Sequence, residues 1–151
     1  LGQQRLDEAA GHLVAAFERH RSDPWPRIDV IARALKAAPP LAAARPDLAP
    51  RLLASLSQPF AAGSLDEERA QARFGIAASA GLARECAQAA HAFEPWVPWQ
   101  REFLERRLAC YAAAGDPLAE PARRDLAELL RDEPAPLLGG ASALTPPARQ
   151  P

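Results

Sequence analysis

Residues 99–118 read WQREFLERRLACYAAAGDPL, and this stretch decides the fold. Phe103, Leu104, Leu108 and Tyr111 recur at helical spacing, which places them on one face of a helix from about Trp99 to Ala114. Gly115 can take the left-handed conformation that closes a helix. Asp116 can then cap the next one, and Pro117 fits its first turn. The helix that follows is expected to bury Leu118, Ala122, Leu126, Leu129 and Leu130. A helix, a glycine turn and a second helix make a hairpin.

Working upstream, Pro95-Trp96-Val97-Pro98-Trp99 breaks the helical pattern, and a helix from Leu82 to Phe93 precedes it. Ser64-Leu65-Asp66-Glu67 has the form of a capping box, with Ala70, Phe74, Ala77 and Ala78 on the helix it would open and Gly81 at the end. A turn at Pro46-Asp47 leads into Leu48, Leu52, Leu53 and Leu56, closed by Pro59. The first helix spans about Gln3 to His20 on a stripe of Leu6, Ala9, Ala10, Leu13, Ala16 and Phe17. Ser22 or Asp23 is expected to cap a second that opens at Pro24 or Pro26, buries Ile28, Ile31, Ala32 and Leu35, and stops at Pro39-Pro40. No segment alternates as a strand. The expectation is an all-α chain of six to seven helices in antiparallel hairpins. Residues 1–131 form one domain, and 132–151 form a Pro-, Gly- and Ala-rich tail.

Composition agrees. The chain has 151 residues, 48% apolar and 25% charged, with aromatics at 6%, so strand formers are scarce while Ala and Leu favour helix. The 18 basic and 19 acidic residues intermix to a net charge of −1, which argues against a nucleic-acid surface. Lys36 is the only lysine, and the Arg, Ala and Pro enrichment fits a bacterial genome of high GC content. No apolar run of 18 residues and no signal peptide is present, so direct membrane insertion is not expected. The chain starts at Leu1 and lacks methionine, and it is expected to be a piece of a larger protein. Cys86 and Cys110 lie in apolar helical stretches and are expected as buried thiols rather than a disulfide. The compartment stays open, the cytoplasm being slightly favoured.

No phosphate loop, Gly-x-Ser-x-Gly elbow or HExxH occurs, and His12, His20 and His91 have no metal spacing. No catalytic residue, metal or cofactor is therefore expected, and an enzyme is the less favoured reading.

Gly81 and Gly115 stand 34 residues apart, with Arg73-Phe74 matching Arg107-Leu108 and Ala80 matching Ala114. Leu108-Ala109-Cys110-Tyr111-Ala112-Ala113-Ala114-Gly115-Asp116 resembles the helix end and turn of a tetratricopeptide repeat, whose period is 34 residues. The resemblance covers about 67–131, two helix pairs. It is degenerate: Arg73 and Arg107 stand where Leu is usual, and Glu120 where a small residue is usual. It implies a short solenoid whose groove receives a peptide or helix, faced by Glu68, Gln71, Gly75, Ser79, Glu102, Glu105, Ala109 and Ala112. The Lys and Asn residues with which that family clamps a terminal carboxylate are not among them.

Trp25, Trp96 and Trp99 each neighbour proline, and such corners are expected to bury the indole at a helix joint. The functional alternative is an exposed aromatic anchor, for which Trp96, Trp99 and Arg101, with Glu102 and Glu105, are the candidate contacts. Glu102, Glu105, Arg106 and Arg107 and the Arg123-Arg124-Asp125 run are expected to be solvated helix faces. The resulting expectation is a protein-protein interaction or scaffold module. Its partner would be another protein or the rest of its own parent chain. The alternatives are an accessory or regulatory domain appended to an enzyme or transporter, or a small helical enzyme. The tail is a rival occupant of the groove.

Overall fold

A computed structural model describes residues 2–132, and the expected tail from 133 onward lies outside them. The described residues form seven α-helices and no strand: α1 (Gly2–Arg21), α2 (Ile28–Ala44), α3 (Ala49–Ser55), α4 (Asp66–Ser79), α5 (Ala83–Ala90), α6 (Arg101–Ala114) and α7 (Ala119–Asp132). Short 3₁₀ turns at Pro46–Leu48, Gly63–Leu65 and His91–Phe93 lead into α3, into α4 and out of α5. Asp132, placed in the tail from composition, is the last residue of α7.

The two glycines close their helices in the same way. Gly81 and Gly115 have φ of 68° and 66°. Behind them the N–H of Leu82 donates to the carbonyl of Ala77 at 3.0 Å, and that of Asp116 to Tyr111 at 2.9 Å. Each six-residue closure satisfies carbonyls that the helix end would orphan. No atom crowds either Cα, so it is the positive φ that requires glycine.

Helices α2, α4 and α6 run side by side in one direction. Leu35 and Lys36 lie by Glu68 and Gln71, and Pro39 by Gly75. Glu67 lies by Pro98 and Gln100 at the start of α6, and Phe74 by Phe103 and Arg106. Their N-terminal ends therefore share one end of the molecule. Helix α7 runs back along α6, with Arg107 opposite Asp125.

The core forms two clusters, and α4 serves both. Ala72 and Ile76 join Phe17, Ile31, Leu35, Leu52, Leu56, Phe60 and Leu65. Phe74 and Ala77 join Cys86, Ala90, Phe93, Tyr111 and Ala122. Leu104 is fully buried, whereas Leu108 and Leu126, expected in the core, are only half-buried.

Three local expectations fail for tertiary reasons. Pro39 and Pro40 do not stop α2; they lie inside it, four residues short of its end. Each removes one helical N–H. The helix continues because Leu41 and Ala42 beyond them are buried and Pro39 packs against the bare Cα of Gly75, where a Cβ would come within 2.9 Å. Ser64 does not form a capping box with Glu67: it sits in a 3₁₀ turn, and α4 starts at Asp66 with no side-chain cap. Helix α2 opens at Ile28 rather than at the prolines, because Asp23 folds back to accept the N–H of Trp25 at 2.9 Å, a local turn that competes with helix.

Candidate functional site

Residues 94–100 connect α5 to α6, and the fold grips them from below. Phe93 is buried against Phe74 and Phe103, ring centroids 6.0 and 4.9 Å apart. The next residue, Glu94, points inward. Its Oε1 accepts from Arg107 Nε at 2.8 Å and from Tyr111 Oη at 3.0 Å. The same guanidinium reaches Asp125 of α7 at 2.5 Å. Arg107 is 2% exposed, so one buried cation ties together the connection, α6 and α7. Burial works against its charge, but the hydrogen bonds with Asp125 and Glu94 more than offset this and hold the guanidinium firmly protonated. Burial, followed by the Glu94 contact, pushes the Tyr111 phenol above its ordinary pKa, so it stays a neutral donor.

This overturns the expectation that Arg107 is solvated. A signal was available. Leu104, Arg107, Leu108 and Tyr111 follow the i, i+3, i+4, i+7 pattern, so Arg107 lies inside the apolar stripe of α6, as Asp125 does in that of α7. Charges on two facing stripes can be buried only by pairing.

Beyond Glu94, with a cis peptide bond at Glu94–Pro95, the chain turns outward. Trp96 is 88% exposed and Trp99 50% exposed, while Trp25 at the α1–α2 turn is 91% exposed. The expectation of buried indoles is therefore wrong for all three. The joints between helices are occupied instead by Phe93, Phe103 and, between α1 and the 56–62 segment, by Phe60 against Phe17. Three exposed indoles stand at the end of the molecule where α2, α4 and α6 begin.

Arg101 and Glu105 pair with each other at 2.9 Å on the exposed first turns of α6. Glu102 faces a groove of about 240 Å³ between α4 and α6, with Glu67, Gln71, Phe74, Pro98, Phe103 and Arg106. The structure thus brings Trp99, Arg101, Glu102 and Glu105 to one corner with Trp96. The residues expected on the solenoid face line two adjoining hollows. Glu68, Gln71 and Gly75 line a hollow against α2, and Pro39 fills the space over Gly75. Ser79 and Ala109 line a neighbouring cleft of about 420 Å³ with Cys86 and Cys110, and Arg106 borders both spaces.

Cys86 and Cys110 form a disulfide, with Cα atoms 5.4 Å apart, and are not free thiols. Helix α5 crosses α6 closely enough for two small buried side chains to meet, which helical periodicity cannot report. The bridge joins α5 to α6, the two helices that flank the 94–100 connection.

No protein family, curated protein or solved structure matches this chain.

The corner thus stands on its own geometry. A second polar pair lies behind it: His91 Nε2 is 2.9 Å from Asp116 Oδ2. The Asp116 carboxyl is held below its usual range, first by the backbone N–H of Leu118 and then by His91. His20 pairs with Asp23 at 3.5 Å at the end of α1. No metal-binding cluster and no helix long and apolar enough to cross a membrane occurs among the described residues.

Proposed function

We propose that this chain is a protein-interaction module that binds another polypeptide, or another part of its parent protein, through the Trp96–Glu105 corner. One observation carries the reading. Trp96 and Trp99 are exposed on a connection anchored at its first residue by the Glu94–Arg107–Asp125 bridge and flanked by two helices that the Cys86–Cys110 disulfide joins. An isolated exposed indole is unremarkable, since folded surfaces are more than half apolar. Two indoles held on such a support are different. They present large amphipathic surfaces on an anchored backbone, so association has less chain entropy to remove. Trp and Arg are also the residues that most often dominate binding energy. The pairing of helices in hairpins with parallel first helices supports a helical-repeat scaffold of tetratricopeptide type as the frame, the corner lying at one end of it.

The test is affinity capture from an extract with the wild-type chain and a Trp96→Ala/Trp99→Ala variant, both verified as folded by thermal melts. The expected result is one or more partners recovered by wild type and lost by the variant. If the folded variant retains every partner at unchanged affinity, the corner has no part in binding.

A further inference from the structure

We infer that the Trp96–Trp99 corner is a docking surface for this chain's own segment 145–151, Thr145-Pro146-Pro147-Ala148-Arg149-Gln150-Pro151. The inference rests on the corner being a binding surface, and it assigns that surface an occupant.

The path of α7 places the segment within reach. Arg107 and Asp125 meet across the α6–α7 hairpin, and following both helices seven residues onward brings Asp132 level with Gln100. Glu94 and Asp125 contact the same guanidinium, so the middle of α7 lies near the start of the 94–100 connection. The chain beyond Asp132 therefore starts at the corner. The thirteen residues from Asp132 to Thr145 can extend to about 45 Å, long enough to double back along the end of the molecule. Gly139 and Gly140 lie midway and place no steric limit on a reversal of direction.

The chemistry matches as well. Residues 133–151 include five prolines, two of them adjacent at Pro146 and Pro147. Proline-rich chain is preorganised in an extended left-handed helix and docks on exposed aromatic rings, losing little entropy. Beside Trp99, the groove offers Phe103 and Pro98 as apolar lining and carries two carboxylates, Glu67 and Glu102, against one cation, Arg106. Arg149 is the only cation between 133 and 151, and it sits two residues past the proline pair. Tethering supplies an effective concentration on the order of millimolar, so a weak contact suffices. A docked segment would compete with any external partner for the same indoles.

The test uses the full chain with ¹⁵N-labelled tryptophan, whose three indole N–H signals are assigned with single Trp→Phe variants. Wild type is compared with Pro146→Ala/Pro147→Ala/Arg149→Glu. The expected result is a shift of the Trp96 and Trp99 signals between the two proteins, independent of dilution, while Trp25 stays in place as an internal control. Unchanged Trp96 and Trp99 signals would overturn the inference. A shift that fades on dilution would also overturn it, in favour of the segment of a second copy. Affinity capture separates this result from the broader reading: unchanged signals with Trp-dependent capture intact remove only the occupant, whereas loss of both removes the surface too.

Discussion

Arg107 and Glu94 are joined twice, Nε and Nη2 of one guanidinium reaching the same carboxylate oxygen at 2.8 and 2.7 Å. Glu94 is the first residue of the connection and Arg107 stands in the middle of α6, so this pair sets where the tryptophan-bearing connection leaves the core. Deleting the cation would leave Glu94 and Asp125 facing each other across a space closed to Arg107's own solvent contact. Arg107→Met is expected to cost about 3 kcal/mol, the low end of the range for breaking a buried pair, because both carboxylates retain some water. Urea melts measure it. Adding Glu94→Gln and Asp125→Asn should recover part of the loss, and failure to do so would mean that packing rather than charge is at stake.

Tyr111 gives the network a pH signature. Its phenol is raised in the folded protein, so the folded state holds its proton more tightly than the unfolded chain does. The stabilisation is complete below the unfolded pKa of about 10 and is lost as pH climbs through and beyond it. Chemical denaturation across the alkaline range should show stability falling above about pH 10. Tyr111→Phe should flatten that fall while costing about 1 kcal/mol at neutral pH for the lost hydrogen bond to Glu94.

The Cys86–Cys110 bridge joins residues 24 apart. Closing a loop of that length restricts the unfolded chain by about 3 kcal/mol. Intact mass under non-reducing conditions should fall short of the dithiol mass by two hydrogens, and Cys86→Ala/Cys110→Ala should lower the denaturation free energy by about that amount. A mass equal to the free dithiol would contradict the bridge.

Gly75 is where α4 meets the proline step of α2. A methyl there would stand 2.9 Å from Pro39 Cγ and 3.0 Å from its Cβ. Ala is otherwise the better helix former by about 1 kcal/mol. Gly75→Ala is therefore expected to destabilise by about 1–3 kcal/mol through overpacking, and Pro39→Ala in the same chain should reverse the sign of the effect. A thermal melt series over the four combinations reads this coupling directly.

Leu104 and Leu108 separate two readings of α6. Leu104 is fully buried and Leu108 half-buried. Leu104→Ala is expected to cost about 2–5 kcal/mol and Leu108→Ala clearly less. Equal losses in urea denaturation would rotate the helix from its present setting.

What this sequence determined by itself was local. The spacing of Phe103, Leu104 and Tyr111, the glycines at 81 and 115, and the absence of alternating stretches sufficed for an all-helical chain with hairpin turns, because periodicity and positive φ act within a few residues. Helix boundaries at Gly81 and Gly115 were legible for the same reason. At Pro39 and Pro40 the same logic failed, since burial of Leu41 and Ala42 further along outweighed the local cost of proline. The corner was half legible. Trp96, Trp99, Arg101, Glu102 and Glu105 stood out by type and spacing, but whether the indoles were core or surface depended on which aromatics reached the joints first, and Phe93 and Phe103 took them. The apolar stripe of α6 already placed Arg107 on the inner face, but the tertiary structure alone decided that its partners would be Glu94 and Asp125 and that Cys86 would meet Cys110. Both outcomes depend on how α5 and α7 lie against α6. That placement is set by the summed packing of residues far apart in the chain, which no local pattern encodes.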